Sequence, residues 1–197
     1  MKKLLLTITS LLLVFGFAPA EECHIDKTRK NLVKFISHAT LDNFEGVTDR
    51  IDGYVIAEGE GLKEGQNCDK SELYFEVALE GLDTGIGLRN RHMRENYLET
   101  SKFPYTHFAG KLDKVEKGPQ GGFLITASGK FYIHGIEKPL TITASVTPQS
   151  PLYHITTEFQ VKLSDFNIKI PSLMFMKLSD TQIVRLDFYV KTMENKK

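Results

Sequence analysis

Past its first twenty residues the sequence predicts an all-β fold, an antiparallel barrel or sandwich, with one short helical insertion. Three observations carry this expectation. Apolar residues recur at every second position over several short runs, the mark of strands with one buried face. Clusters of Gly, Pro and Asn separate those runs at regular intervals. A single stretch, Gly87–Lys102, breaks the alternation and spaces its apolar residues as a helix does.

The elements follow in order. Met1-Lys2-Lys3, an apolar stretch from Leu4 to Phe17 and Ala18-Pro19-Ala20 form the three parts of a cleavable export signal. Its core is broken by Thr7, Thr9, Ser10 and Gly16 and falls short of the roughly 20 apolar residues a spanning helix needs. Cleavage after Ala20 would leave a domain of residues 21–197. Glu22 directly before Cys23 argues against a lipid-anchored cysteine. Strands are expected at Leu32–Thr40, Val47–Ala57, Leu73–Leu79, Thr106–Val115 and Phe123–Ile133. Three more lie at Leu140–Thr147, Tyr153–Leu163 and Val184–Lys191. Lys117–Gly122 reads as a hairpin connection, and Pro148 and Pro151 bracket another turn. The helical segment ends before Phe103-Pro104, where proline disfavours helix at the preceding residue. Such an insertion suits a lid over one barrel mouth.

Composition narrows the function. The chain has 25 basic and 25 acidic residues; without Lys2 and Lys3 the basic count is 23. That balance gives no electrostatic footprint for nucleic acid or for anionic membrane. The only cysteines, Cys23 and Cys68, would meet an oxidising compartment after export, so a disulfide between them is expected. No C-x-x-C, H-E-x-x-H or G-x-S-x-G is present, and the six histidines lack the spacing of a helical zinc site. No catalytic residue, cofactor or metal site is therefore assigned. Arg89, Arg91, His92 and Arg94 form a basic cluster for which two readings stand: an anion or carbonyl head-group site, or a solvated helix face balanced by Glu95 and Glu99. Thirteen Phe and no Trp supply ample core material. An eight-stranded barrel can fill its interior with side chains or hold one small ligand.

Four pieces, read in order, resemble a known family. They are Phe35-Ile36-Ser37-His38 with Phe44-Glu45-Gly46; Leu82-Asp83-Thr84-Gly85 with Arg89–Met93, Tyr97-Leu98, Lys102-Phe103-Pro104 and Phe108; Gly129–Pro139; and Leu163–Ile168 with Leu178-Ser179-Asp180. Together they are similar to the YceI-like bacterial lipid- and polyisoprenoid-binding proteins over nearly all of the chain beyond the signal. The resemblance implies a lipocalin-like antiparallel β-barrel with the helical insertion near one mouth. It implies a periplasmic, non-enzymatic protein holding a polyisoprenoid or isoprenoid quinone, as carrier or store. Asn167 stands where many members have Gly, Asn90 where Asp is common, and Lys169–Met176 is an unusually apolar loop.

On that pattern Arg89, His92 and His134 are expected near the mouth. Met93, Tyr97, Phe108, Phe131, Phe166, Met174 and Phe175 are expected to line the bore, with plain core packing as the alternative for each aromatic. Alternation from Phe35 turns His38 outward. The implied partner is an apolar lipid, met close to a membrane; the oligomeric state stays open, a homodimer included. Competing readings keep the barrel but fill it with a fatty acid or amide, make it an enzyme on a lipid-like substrate, or give it a filled, purely structural interior.

Overall fold

The computed structural model describes residues 20–39, 43–59, 61–173 and 176–193. Residues 1–19, where the export signal is expected, lie outside that set. Eleven strands follow one another: β1 (Ala20–Ile25), β2 (Leu32–Ala39), β3 (Phe44–Thr48), β4 (Ile51–Glu58), β5 (Glu72–Ala78), β6 (Tyr105–Lys117), β7 (Phe123–Ile133), β8 (Ile136–Gln149), β9 (Leu152–Lys162), β10 (Ser172–Leu173) and β11 (Met176–Thr192). Between β5 and β6 the chain forms α1 (Gly87–His92), which widens into a π-helical turn over Met93–Tyr97.

The strands close into an antiparallel barrel of eight wall positions. The seam is made by β11, a 17-residue strand. One edge of β11 pairs with β9 along Thr181–Lys191. Its other edge takes β2 near the top, Leu178 to Asp187, and β1 near the bottom, Val190 to Thr192. β1 and β2 thus share one wall position, interrupted by the turn at Asp26–Asn31. β3 and β4 share the next, with the break at Asp49-Arg50. The single strand expected over Val47–Ala57 is therefore two, and β1 is a strand the alternation did not reveal.

Alternation builds the interior. On β9 Tyr153, Ile155, Thr157, Phe159 and Val161 point inward; on β11 Val184, Leu186, Phe188 and Val190 do so. Each such side chain contributes about 1.5–3 kcal/mol when fully buried. Phe75 and Phe188 meet edge-on across the lower barrel, ring centres 5.2 Å apart.

Three family-like motifs gain a physical reason. A Cβ on Gly46 would sit 2.2 Å from the Phe35 ring, so β3 can lie against β2 there only without a side chain. His134 (φ 54°) and Gly135 (φ 81°) form the two-residue connection between β7 and β8. Positive φ at both central residues is the hairpin geometry that matches strand twist. Asn167 adopts φ 54°, a left-handed conformation that Asn tolerates almost as Gly does, which accounts for its standing in a glycine position.

β8 and β9 are paired only from Ala144 to Gln149 and from Leu152 to Thr157. Above that level the barrel wall parts, since Ile136–Thr143 pairs with β7 alone. Pro139 lies in this singly paired stretch, where a strand tolerates proline.

Candidate ligand-binding cavity

The barrel is hollow. Its interior holds a cavity of about 800 Å³ whose wall is overwhelmingly apolar. Phe35, Phe75, Phe108, Phe131, Phe159 and Phe188 supply the aromatic part of the wall, and Val, Leu and Ile side chains from nearly every strand complete it. The volume falls in the range of drug-sized ligand pockets.

The lower end is closed by polar groups. The Glu21 carboxylate accepts from the Gly61 N–H (2.7 Å), the Thr192 hydroxyl (2.8 Å) and the Tyr153 hydroxyl (3.3 Å). Burial, and next the Glu21 charge, push the Tyr153 hydroxyl well above the ordinary tyrosine range. Cys23 stands beside this floor, its Sγ 3.7 Å from the Thr192 hydroxyl. Burial raises its thiol to about 11, with the Thr192 hydrogen bond acting weakly against that shift.

The upper end carries the helical segment. Ile86, Leu88, Arg89, His92, Met93 and Tyr97 all line the cavity mouth. Ile86 and Leu88 are more than half exposed at the tip, 52% and 56%. The segment is tied down by side chains. Asn90 Oδ1 accepts from the Thr84 N–H (2.8 Å) and hydroxyl (2.6 Å), and its Nδ2 donates to Asp83 (2.6 Å). Arg89 donates to the Thr84 hydroxyl (2.9 Å) and carbonyl (2.6 Å).

Of the expected site residues, Arg89, His92, Met93, Tyr97, Phe108 and Phe131 are brought together around the cavity. Two residues stand outside the cavity lining. His134, expected near the mouth, sits in the β7–β8 turn beside the segment that follows the lid, where strand alternation no longer directs side chains. Its Nδ1 donates to the Phe166 carbonyl (3.0 Å), its Nε2 lies 3.3 Å from Glu99, and Phe103 meets its ring at 4.9 Å. Phe166 is buried behind the wall, packed edge-on against Phe131 at 5.7 Å, and supports the lining without belonging to it. Met174 and Phe175 lie outside the described residues. His38 points outward and bonds Asn43 (2.9 Å).

The expected disulfide is also corrected: both thiols are free and buried. Cys23 lies on β1 opposite Val55, whereas Cys68 lies in a loop fastened to β6 by Ser71, whose hydroxyl accepts from the Leu112 N–H (2.9 Å). β4 and β5 stand between. Three strand spacings, roughly 14 Å, exceed the roughly 7 Å Cα reach of a disulfide.

The basic cluster does not converge on one point. Arg89 is fixed on Thr84, Arg94 donates to the Leu82 carbonyl (3.0 Å), Arg91 faces solvent, and His92 is exposed at the rim of the mouth. Among the described residues no three metal-ligating side chains come together, and no helix is long and apolar enough to cross a membrane.

Glu21, Ser37 and Gln182 are among the lining residues that sequence reasoning did not single out. The last two were reachable by carrying the alternation two positions, from Phe35 to Ser37 and from Val184 back to Gln182.

A closed eight-position barrel with an apolar bore, a polar floor and a helical lid defines a hollow, lipocalin-like protein. The chain belongs to the YceI-like domain family, whose model matches residues 24–191. No curated protein sequence matches it. In structure it is similar to BcnA of Burkholderia cenocepacia (15% identity, TM-score 0.67, covering 84% of this chain and 98% of that one). It is equally similar to a polyisoprenoid binding domain from Saccharophagus degradans, implicated in plant cell wall breakdown (16%, TM-score 0.67, 87% and 98%). The Campylobacter jejuni YceI protein is a further neighbour (14%, TM-score 0.56, 80% and 90%).

Proposed function

We propose that this protein binds one long apolar molecule, a polyisoprenoid or isoprenoid quinone, inside the barrel and carries or stores it without chemical change. The observation that carries this reading is the apolar cavity of about 800 Å³ under a lid. Each CH₂ moved from water into such a wall contributes roughly 0.8 kcal/mol, so a prenyl chain needs only length and shape to bind well. The polyisoprenoid-binding domain among the structural neighbours supports the same ligand class. Binding rather than turnover is supported by His134, whose nitrogens face Phe166 and Glu99 instead of the bore.

The leader Met1–Ala20 supports export to the periplasm, with 21–197 as the working domain. There the protein would move an apolar molecule through water close to membranes. An intact mass beginning at Glu21 in a periplasmic fraction is the expected result; a cytosolic full-length chain would overturn the location.

Native mass spectrometry of the purified protein, followed by solvent extraction, tests the ligand. A co-purifying molecule whose mass fits whole isoprene units is expected. A fatty acid or amide in its place would redirect the reading, and a barrel that takes up neither isoprenoid nor fatty acid would end it.

A further inference from the structure

Inside the apolar bore one polar group has no partner. Ser37 is 1% exposed, lines the cavity, and its hydroxyl makes no hydrogen bond. A buried polar group without a partner is uncommon in a native fold and calls for a reason. Directly across the β2–β11 ladder stands Gln182, 7% exposed and also lining the cavity. Its Nε2 donates to the Ser179 carbonyl (2.6 Å), which fixes the carboxamide and leaves its oxygen and second N–H for another partner.

The surroundings of this pair are apolar. Phe35 and Ala39 flank Ser37 along β2, Phe44 pairs with it on β3, and Val184 follows Gln182 on the inner face of β11. The pair lies just beneath the lid, because the ring of Phe44 carries the Arg89 guanidinium. That cation is already hydrogen-bonded to Thr84. Among the described side chains around Ser37 and Gln182 there is thus a donor and a carboxamide, but no cation free to neutralise a phosphate. An ionised group brought into such a wall would be desolvated without compensation.

We propose that Ser37 and Gln182 form the head-group anchor of the bore, and that the bound molecule presents a neutral oxygen there, a carbonyl or hydroxyl. This rests on the reading of the cavity as an isoprenoid site. The apolar chain runs down toward the Glu21 floor, and the head group stays under the lid. Ser37 donates to the ligand oxygen, and Gln182 supplies the second hydrogen bond.

The test uses three probes on ligand-stripped protein: a prenylated benzoquinone, the prenyl diphosphate of equal chain length, and squalene, an isoprenoid without a head group. Ser37→Ala is the first variant and Gln182→Leu the second. Ser37→Ala removes only an unpartnered hydroxyl, so its empty form should melt no lower than the parent. The parent is expected to hold the quinone more tightly than squalene. Ser37→Ala should weaken quinone binding roughly 3- to 10-fold, the range for losing one neutral hydrogen bond, and leave squalene unchanged. The carbonyl stretch of the bound quinone should shift back toward its free value in either variant. If squalene binds and the quinone is equally tight in parent and variants, the anchor is overturned while the bore reading survives. Preference for the diphosphate overturns it also. If no probe binds, both readings fall.

Discussion

The guanidinium carbon of Arg89 stands 4.3 Å from the centre of the Phe44 ring. Arg89 belongs to the lid and Phe44 opens β3, so this one contact clamps the lid to the barrel wall across the mouth. Phe44→Leu keeps the apolar bulk and removes the ring face. It is expected to cost about 0.5–1 kcal/mol of stability and to speed ligand exchange several-fold, followed by stopped-flow displacement. An unchanged exchange rate would show that the hydrogen bonds of Asn90, Arg89 and Arg94 hold the lid without this contact.

Phe131 lines the cavity and is braced from behind by Phe166 at 5.7 Å and from the side by Phe159 at 5.8 Å. Phe131→Ala and Phe166→Ala should each lose about 3–5 kcal/mol in urea unfolding. They differ in binding. Phe131→Ala alters the bore surface itself and should change ligand preference, whereas the milder Phe166→Leu should lower stability while the ligand profile holds. Equal shifts in both profiles would place Phe166 in the lining after all.

Gly46 and Phe35 form a tight pair, with space for no Cβ between them. Gly46→Ala is expected to destabilise by about 1–3 kcal/mol through overpacking. In the double variant with Phe35→Ala the second substitution should cost much less than it does alone, since the obstructing ring is gone. Strict additivity in this cycle would mean that the strain resides in the β3 backbone.

Stability should fall on the alkaline side. The folded state holds the Cys23 proton to about 11, against an ordinary thiol value near 9.0. A group raised in the folded state contributes fully below its unfolded value and loses that contribution as pH climbs through the folded one. The window is therefore pH 9 to 11, and the loss from Cys23 is about 2–3 kcal/mol. Tyr74, raised to about 12, extends the same trend above pH 10. Urea midpoints at pH 8, 9.5 and 11 should decline, and Cys23→Ala should lessen the decline, most of all between pH 9.5 and 11. A midpoint that stays level would contradict the burial of that thiol.

Both thiols should titrate only slowly with a disulfide reagent in the native protein, and as two equivalents once unfolded without reductant. Burial raises both and makes them poor nucleophiles. No titratable thiol in the unfolded, unreduced protein would indicate a bridge.

Much of the fold was legible because alternation is a direct consequence of strand geometry. β5, β9 and the lower part of β11 read cleanly, since every second residue is apolar. β1 did not, because its inward positions include Glu21, whose burial is repaid by three hydrogen bonds from residues 40 to 171 positions away. The site was half legible. Arg89, Met93, Phe108 and Phe131 followed from motif and period, but Ser37 and Gln182 read as the polar ends of apolar runs. His134, conspicuous in a family-like motif and expected near the mouth, serves the β7–β8 turn and contacts Phe166, Glu99 and Phe103; sequence could not tell that role from a lining one.

The C-terminal strand has a consequence for how the molecule comes into being. Cys23 and Thr192 are neighbours in the ladder, yet nearly the whole chain separates them. β11 alone joins β9 to both β1 and β2. A growing chain that has not yet delivered β11 therefore has no closed interior, only a curved sheet with unpaired borders. Such borders invite pairing with other chains, and distant closure is slow. The container is finished only when β11 is in place, so a cargo molecule meets either an open sheet that cannot retain it or a completed vessel that must be entered past the lid.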